Sequence, residues 1–251
     1  MIDCHTHLAQ PDFNSDRDEV IEKCRKELKA VITSCTHPKD FDLTLQIVEK
    51  YKNFVFATAG IHPEYIKEIS EKEKDDFLEL VKENKSKLVG IGEIGLDYNW
   101  TKESAWQKKQ KELFLELISF SKDLKLPLVI HARDAFEDAI KILEQEDAKQ
   151  VLMHMFGANQ LVKRVAENNW YVSMNAIVLR SKKHKKVVRD MSIERILLET
   201  DAPFIGMPGK RSEPTLIKDV AQKIAEIKKM SFDEIWYNCG LNAVRFFNLP
   251  I

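Results

Sequence analysis

Six residues scattered along the chain are of types that bind divalent metal ions: His5, His7, Glu93, His131, His154 and Asp201. The first two stand in Asp3-Cys4-His5-Thr6-His7. Residues two apart on a strand point to the same side, so the two imidazoles can converge while Cys4 and Thr6 turn away. Imidazole nitrogens suit zinc, manganese and similar ions. A histidine pair of this kind is commonplace on its own, and its weight comes from where the other residues fall. Glu93 follows the apolar run Val89–Gly92, His131 ends Leu128–Ile130, His154 ends Val151–Met153, and Asp201 follows Ile196–Leu198. Each sits at the C-terminal end of a predicted strand, the face on which barrel enzymes assemble their sites. Taken singly, a histidine there is more often a hydrogen-bonded core residue, and an aspartate before Ala-Pro a turn residue. Strand ends that repeatedly carry His, Glu or Asp favour a shared metal centre.

Four imidazoles and two carboxylates exceed the needs of one tetrahedral zinc. Two divalent ions are therefore expected, with Glu93 the best candidate to bridge them. Such a pair lowers the pKa of water and stabilises a leaving oxygen, which is hydrolytic chemistry. Asp201 is expected as a ligand, as the general base for that water, or as both, so Glu93 and Asp201 are the candidate catalytic residues. A facial-triad iron site would use fewer ligands, and no cysteine falls at a metal-facing position as an iron–sulfur cluster requires.

Other residues are placed to hold substrate. Arg133 lies two beyond His131, and its planar fork suits either a phosphate or a nearby carboxylate such as Glu93 or Asp97. His62, in Gly60-Ile61-His62-Pro63, can donate to substrate or shape its turn, and Lys210 and Arg211 put two cations on the loop after the last strand. The basic run Arg180–Arg189 can track a phosphate backbone or form a solvated helix face. Trp100 and Trp106 are candidates for base stacking, with helix packing the better reading of Trp106.

The elements that position these residues alternate. Strand-like runs occupy Ile2–His5, Ala30–Cys35, Phe54–Ala59, Leu88–Gly92, Leu128–His131, Val151–His154, Trp170–Met174 and Ile196–Glu199. Helical spacing fills the intervals, as in Ser15–Leu28, where Val20, Ile21, Cys24 and Leu28 share a face. About eight such units in 251 residues predict an α/β fold, a TIM-type (β/α)8 barrel forming one domain over residues 1–251. An open doubly wound sheet is disfavoured because no Gly-rich fingerprint follows the first strand. The stretch Ser231–Asn248 reads as an extra C-terminal amphipathic helix packed outside the barrel.

Composition narrows the function classes. With 44% hydrophobic residues and a net charge of −1, the chain can bury a core but has no general electrostatic grip on nucleic acid or anionic membrane. Its four cysteines form no C-x-x-C pair, the opening residues do not read as a secretory leader, and no apolar run is long enough to span a bilayer. A reduced, cytoplasmic protein without a membrane partner is the expectation.

The motifs I-D-C-H-T-H-L, G-I-H-P-E, G-E-I-G-L-D-Y, P-L-V-I-H-A-R, L-L-E-T-D-A-P, G-K-R-S-E-P and N-x-x-R-F-F, in this order, resemble the TatD family of metal-dependent deoxyribonucleases, within the amidohydrolase-like barrels. The resemblance spans nearly the whole chain. It implies that His5, His7, Glu93, His131, His154 and Asp201 are the metal ligands, that the metals are magnesium, manganese or zinc, and that DNA is the substrate of a 3′–5′ exonuclease or related activity. Three positions depart from the family pattern. Ala9 stands where Asp is common, Met155-Phe156-Gly157-Ala158 replaces Cys-Phe-Ser-Gly, and Ser212 replaces Asn. These bear on substrate contacts and leave the metal residues intact. Hydrolysis of a small amide, ester or lactone is the alternative on the same barrel. A non-catalytic scaffold with structural metal fits less well, since such sites need fewer ligands.

Overall fold

The computed structural model describes residues 1–251. Eight strands form one parallel sheet in sequence order: Ile2–Thr6 (β1), Ala30–Cys35 (β2), Val55–Ala59 (β3), Leu88–Asp97 (β4), Leu128–Arg133 (β5), Val151–Met153 (β6), Tyr171–Met174 (β7) and Ile196–Leu198 (β8). The helices between them are Arg17–Arg25 (α1), Phe41–Lys50 (α2), Glu71–Glu83 (α3), Ser104–Leu124 (α4), Phe136–Gln145 (α5), Val162–Glu167 (α6), Lys182–Asp190 (α7) and Ile217–Lys228 (α8), with Phe232–Phe247 (α9) closing the chain. This is the predicted TIM-type barrel. None of its helices is long and apolar enough to cross a membrane.

The barrel is closed at the seam between β8 and β1 by bonds at the strand ends. The Asp201 amide donates to the His5 carbonyl at 2.9 Å and the His7 amide to the Ala202 carbonyl at 2.7 Å. The buried Asp3 carboxylate accepts from the Thr200 amide at 3.0 Å and from its hydroxyl at 2.5 Å. Both metal-site segments at this seam are thus tied to each other through backbone.

The two-residue period of the strands sorts the barrel interior into layers. Ile2, Ala30, Val129, Leu152 and Leu197 make an apolar layer at the N-terminal end. One step further along the same strands, on the same side, come His131, His154 and Glu199. The floor under the apolar layer is supplied by α9. This helix covers the seam from outside, as expected, but its last residues do more. Phe246 and Phe247 pack with Ile2, Ala30, Val129 and Leu197, and Phe246 also meets Tyr171 ring-to-edge at 5.2 Å. Fully burying a ring of this size is worth about 1.5–3 kcal/mol. The helix is thus the extra C-terminal one that the sequence predicts, and the Phe-Phe pair at its end finds apolar cover beneath the strands.

Two strands carry bulges at their site-bearing residues. Between Asp3 and Thr6 three steps of β1 face two of β2, and between Ile91 and Ile94 three steps of β4 face two of β5. An extra residue in one strand re-aims the side chains beside it, and the residues re-aimed here are His5 and Glu93. The expected end of the fourth strand at Gly92 is corrected, since β4 runs on to Asp97 and Glu93 lies inside it. The glycines that read as a strand end are interior ones. Gly92 and Gly95 take φ of +152° and +143°, and a Cβ on either would strike the backbone of β5 at Val129 or His131.

All four cysteines are free and buried. Burial pushes the Cys24 and Cys35 thiols up to about 12, and those of Cys4 and Cys239 well above their ordinary value. Because the thiolate is the reactive form, the native protein should react far more slowly with a thiol-specific disulfide reagent at mildly alkaline pH than the urea-unfolded chain, which should titrate all four. Fast reaction of even one thiol in the native state would contradict the packing described.

Candidate metal centre

At the C-terminal mouth the strand ends bring six of the predicted residues together with His62. Glu93 stands at the middle, and its two oxygens face different histidines. Oε2 lies 3.2 Å from His5 Nε2 and 3.8 Å from His7 Nε2. Oε1 lies 2.7 Å from His131 Nδ1, 3.4 Å from His62 Nε2 and 3.7 Å from His154 Nε2. Asp201 closes the first group, with Oδ1 3.0 Å from His7 Nε2 and 3.7 Å from His5 Nε2. Three overlapping sets are compact enough to hold an ion: His5, His7 and Glu93; His5, His154 and Asp201; His62, Glu93 and His131. Asp201 itself has φ of +58°, a left-handed conformation that aspartate tolerates better than most residues.

The outer nitrogens of two of these histidines are held by buried carboxylates. His131 Nε2 is 2.9 Å from Asp97 Oδ2, and His154 Nδ1 is 2.9 Å from Glu199 Oε2. A proton on each outer nitrogen leaves the inner one free to ligate. Asp97 also accepts from the Asn99 and Trp100 amides at 2.8 Å each, and Glu199 accepts from the Asn175 side chain at 3.2 Å. Neither Asp97 nor Glu199 was among the expected site residues. Their signal was present in the spacing, since Glu199 is two before Asp201 and Asp97 is four after Glu93.

The donor set fits divalent metal. His5 Nε2 and His7 Nε2 approach within 3.1 Å. Two imidazole lone pairs at that separation need a proton or a cation between them. His7 Nδ1 is buried and has no hydrogen-bond partner at all, a rare condition for an interior polar atom. Nitrogen and carboxylate oxygen are the ligand types that zinc, manganese and related ions accept.

Charge keeps the centre ready. Burial pushes the Glu93 carboxyl up, but the imidazoles of His154, His62 and His5 and the bond from His131 outweigh burial and hold it well below the ordinary carboxylate range. Asp201 is likewise lowered against burial, chiefly by His7 and His154. Burial lowers His5, with His154 adding to the effect. For His131 burial is overcome by Asp97 and Glu93, which raise it to about 9, and for His154 by Glu199 and Glu93, which raise it to about 10.

A cleft of about 300 Å³ opens over the cluster, and its walls include Gln10, Tyr65, Trp100, Arg133, Met155 and Phe204. Arg133 makes no ion pair with Glu93 or Asp97. Its guanidinium lies 5.7 Å from the centre of the Trp100 ring. Lys210 and Arg211 are not brought to this cleft and line a separate one with Glu213 and Asp219. The Arg211 fork is engaged with both oxygens of Asp16, at 2.9 and 2.6 Å, and with the Asp12 carbonyl at 2.6 Å. The basic run forms α7, which buries His184, Val187 and Val188 and leaves its lysines outward, while Arg180 reaches the Gly206 carbonyl at 3.3 Å. Trp106 lies away from the cleft, with Lys109 4.6 Å from its ring. Gly157 has a packing reason: a Cβ there would stand 2.8 Å from His184 Nε2.

The fold and this site define a metal-dependent hydrolase of the (β/α)8 class. The model of the TatD-related DNase family matches residues 2–248. The chain is 37% identical to the metal-dependent hydrolase YabD of Bacillus subtilis, which has no characterised activity, across 99% of both chains. It is 31% identical to human deoxyribonuclease TATDN3, across 98% of this chain and 94% of that one. The crystal structure of the TatD homologue YJJV from Escherichia coli superimposes with a TM-score of 0.91 over 100% of this chain and 98% of that one, and at 24% identity the likeness speaks for the fold. The chain belongs to the TatD-related DNase family.

With pKa values of about 9 and about 10, His131 and His154 hold protons at neutral pH in the metal-free protein. Ligation requires a free lone pair, so metal affinity should rise with pH through this range. Calorimetry in buffers of different ionisation enthalpy should register net proton release at neutral pH. Binding without proton release would show that these imidazoles do not ligate.

Proposed function

We propose that this protein is a deoxyribonuclease that hydrolyses DNA phosphodiester bonds, of the 3′–5′ exonuclease type, at a two-metal centre. The observation that carries the reading is the division of the Glu93 carboxylate. One oxygen faces His5 and His7, the other faces His131 and His154, so a single carboxylate spans two ligand groups. In this reading His5, His7, Glu93 and Asp201 hold one ion, and Glu93, His131 and His154 hold the other. Such ions, as magnesium, manganese or zinc, supply a lowered pKa for water and positive charge for phosphate oxygens.

The chain's own groups have separable tasks. Asp201, kept ionised by its imidazole neighbours, accepts a proton from the attacking water at a carboxylate oxygen. His62 accepts from the Glu64 amide at Nδ1, at 3.2 Å, which leaves its Nε2 proton to face Glu93 Oε1, 3.4 Å away at the wall of the cleft. Arg133 has no carboxylate partner and lines the cleft, so its fork is free for a phosphate flanking the scissile one. DNA as substrate is supported by family membership and by the deoxyribonuclease name of the human relative.

The size of the cleft, about 300 Å³, also suits a small ester, amide or lactone. The two readings separate on a 5′-labelled single-stranded oligonucleotide supplied with each metal. Stepwise loss of 3′ nucleotides is expected, with kcat lowered about 10²–10⁴-fold in Asp201→Asn and at least comparably in Glu93→Gln, both variants remaining folded by circular dichroism. Undiminished cleavage in either variant would refute the assigned roles, and turnover of small esters alone would transfer the reading to them.

Asp97 is expected to act through His131. Asp97→Ala should weaken metal binding about 10–100-fold in a competition assay with a chelating dye. An unchanged affinity would show that His131 needs no orienting partner.

A further inference from the structure

Two aromatic rings at the mouth of the cleft are left to solvent, one of them the Trp100 that the sequence offers for base stacking. Of seven exposed large apolar side chains, Trp100 and Phe204 are the two that line the cleft, 64% and 47% exposed. Trp100 follows β4 and Phe204 follows β8. In a closed ring of eight strands in sequence order, the fourth and eighth are four places apart in either direction. The loops that bear these rings therefore stand across the mouth from one another, with the ligand cluster between them.

Neither ring hangs on a loose loop. The Trp100 amide donates to Asp97 Oδ1 at 2.8 Å, the carboxylate whose other oxygen holds His131. Arg133 stands over the indole at 5.7 Å from the ring centre, and the ring keeps most of its surface exposed. On the opposite side, the Phe204 amide donates to the Asp201 carbonyl at 2.8 Å, and the Phe204 ring meets His7 edge-on at 5.5 Å. Each platform is thus built on a residue that also shapes the centre. An aromatic ring held rigid, solvent-exposed and beside a phosphate site matches the sequence-tolerant way single strands are gripped, by stacking of bases on aromatic faces.

We infer that Trp100 and Phe204 are a pair of stacking platforms, one for each nucleobase flanking the scissile phosphate. The inference rests on the deoxyribonuclease reading and adds to it the two residues that would hold the flanking bases. Bases stacked in a duplex lie on one another and cannot reach platforms on opposite sides of a cleft. The flanking bases must be unpaired and splayed apart, with the phosphate drawn down between them. Arg133 then serves twice, as the support of the indole and as a contact to the neighbouring phosphate.

The test is a double-mutant cycle on binding, independent of turnover. A fluorescent single-stranded oligonucleotide with hydrolysis-resistant phosphorothioate linkages is titrated with the metal-loaded protein, with all bases present or with base-free spacers in the flanking positions. Base removal should weaken binding to the unmodified protein about tenfold for each platform lost. Trp100→Ala and Phe204→Ala should weaken binding of the intact strand to a similar extent, yet bind the base-free strand as tightly as the unmodified protein does. Trp100→Phe should recover most of the loss. A merely structural role would weaken both strands alike, and such additive losses, or no loss at all, would overturn the platforms. The non-additive pattern without cleavage of an ordinary phosphodiester strand would uphold the platforms while rejecting the nuclease. Cleavage with additive losses would do the reverse.

Discussion

Glu93 is a carboxylate taken almost wholly out of water, and the upper half of the barrel is arranged around keeping it charged. The effective penalty for burying an ion is several kcal/mol, and it is met here by imidazoles on every side: His5 and His7 on one oxygen, His131, His62 and His154 on the other. The imidazoles of His131 and His154 are themselves buried, and burial alone would favour loss of their protons. Asp97 and Glu199 stand behind His131 and His154 and hold them protonated. The result is a nest of alternating charge, each shell answering the one inside it. Metal ions are the natural occupants of such a nest, because they replace protons with fixed positive charge.

A nest of this kind needs rigid walls. Its ligands come from separate strands, so their mutual geometry is only as good as the register of the sheet. The apolar layer of Ile2, Val129, Leu152 and Leu197, with Phe246 and Phe247 beneath it, provides a close-packed base. The bulges in β1 and β4 then turn His5 and Glu93 into place without disturbing that base. Backbone bonds between His5, Asp201, His7 and Ala202 fix the first and last contributors relative to each other.

Much of this was legible in the residues. Strand-end histidines and acids in β1, β5, β6 and β8 follow from the alternation of apolar runs and helices, and those positions converge as a barrel requires. Glu93 comes to the middle of the cluster, but from inside a strand rather than from beyond its end. The apolar run reads as ending at Gly92, whereas Gly92 and Gly95 let a continuing strand approach β5. The spacing sets Asp97 and Glu199 beside the site without giving them a task, because the histidine that each acid orients lies on another strand. Arg211 shows the same limit. Its basic character suggested a phosphate, but Asp16, distant in sequence, folds back against it. The Phe-Phe pair of α9 was plainly apolar, yet nothing local says that a helix on the outside should end underneath.

The seam between the first and last strands sets the order in which this site can come into being. His5 emerges near the start of synthesis and Asp201 some two hundred residues later, so at 5–20 residues per second the ribosome leaves them apart for about 10–40 s. Throughout that interval β1 has one edge with no neighbour, the Asp3 carboxylate lacks its Thr200 hydroxyl, and Asp201 is missing from the group it closes with His5, His7 and Glu93. Every histidine of the cluster has been made by residue 154, and what the chain waits for is the last strand, which brings Asp201 and the partners of His5 and Asp3. A chain cut short before Asp201 would therefore keep all its imidazoles and lose the seam that sets the distance between the first pair and the rest.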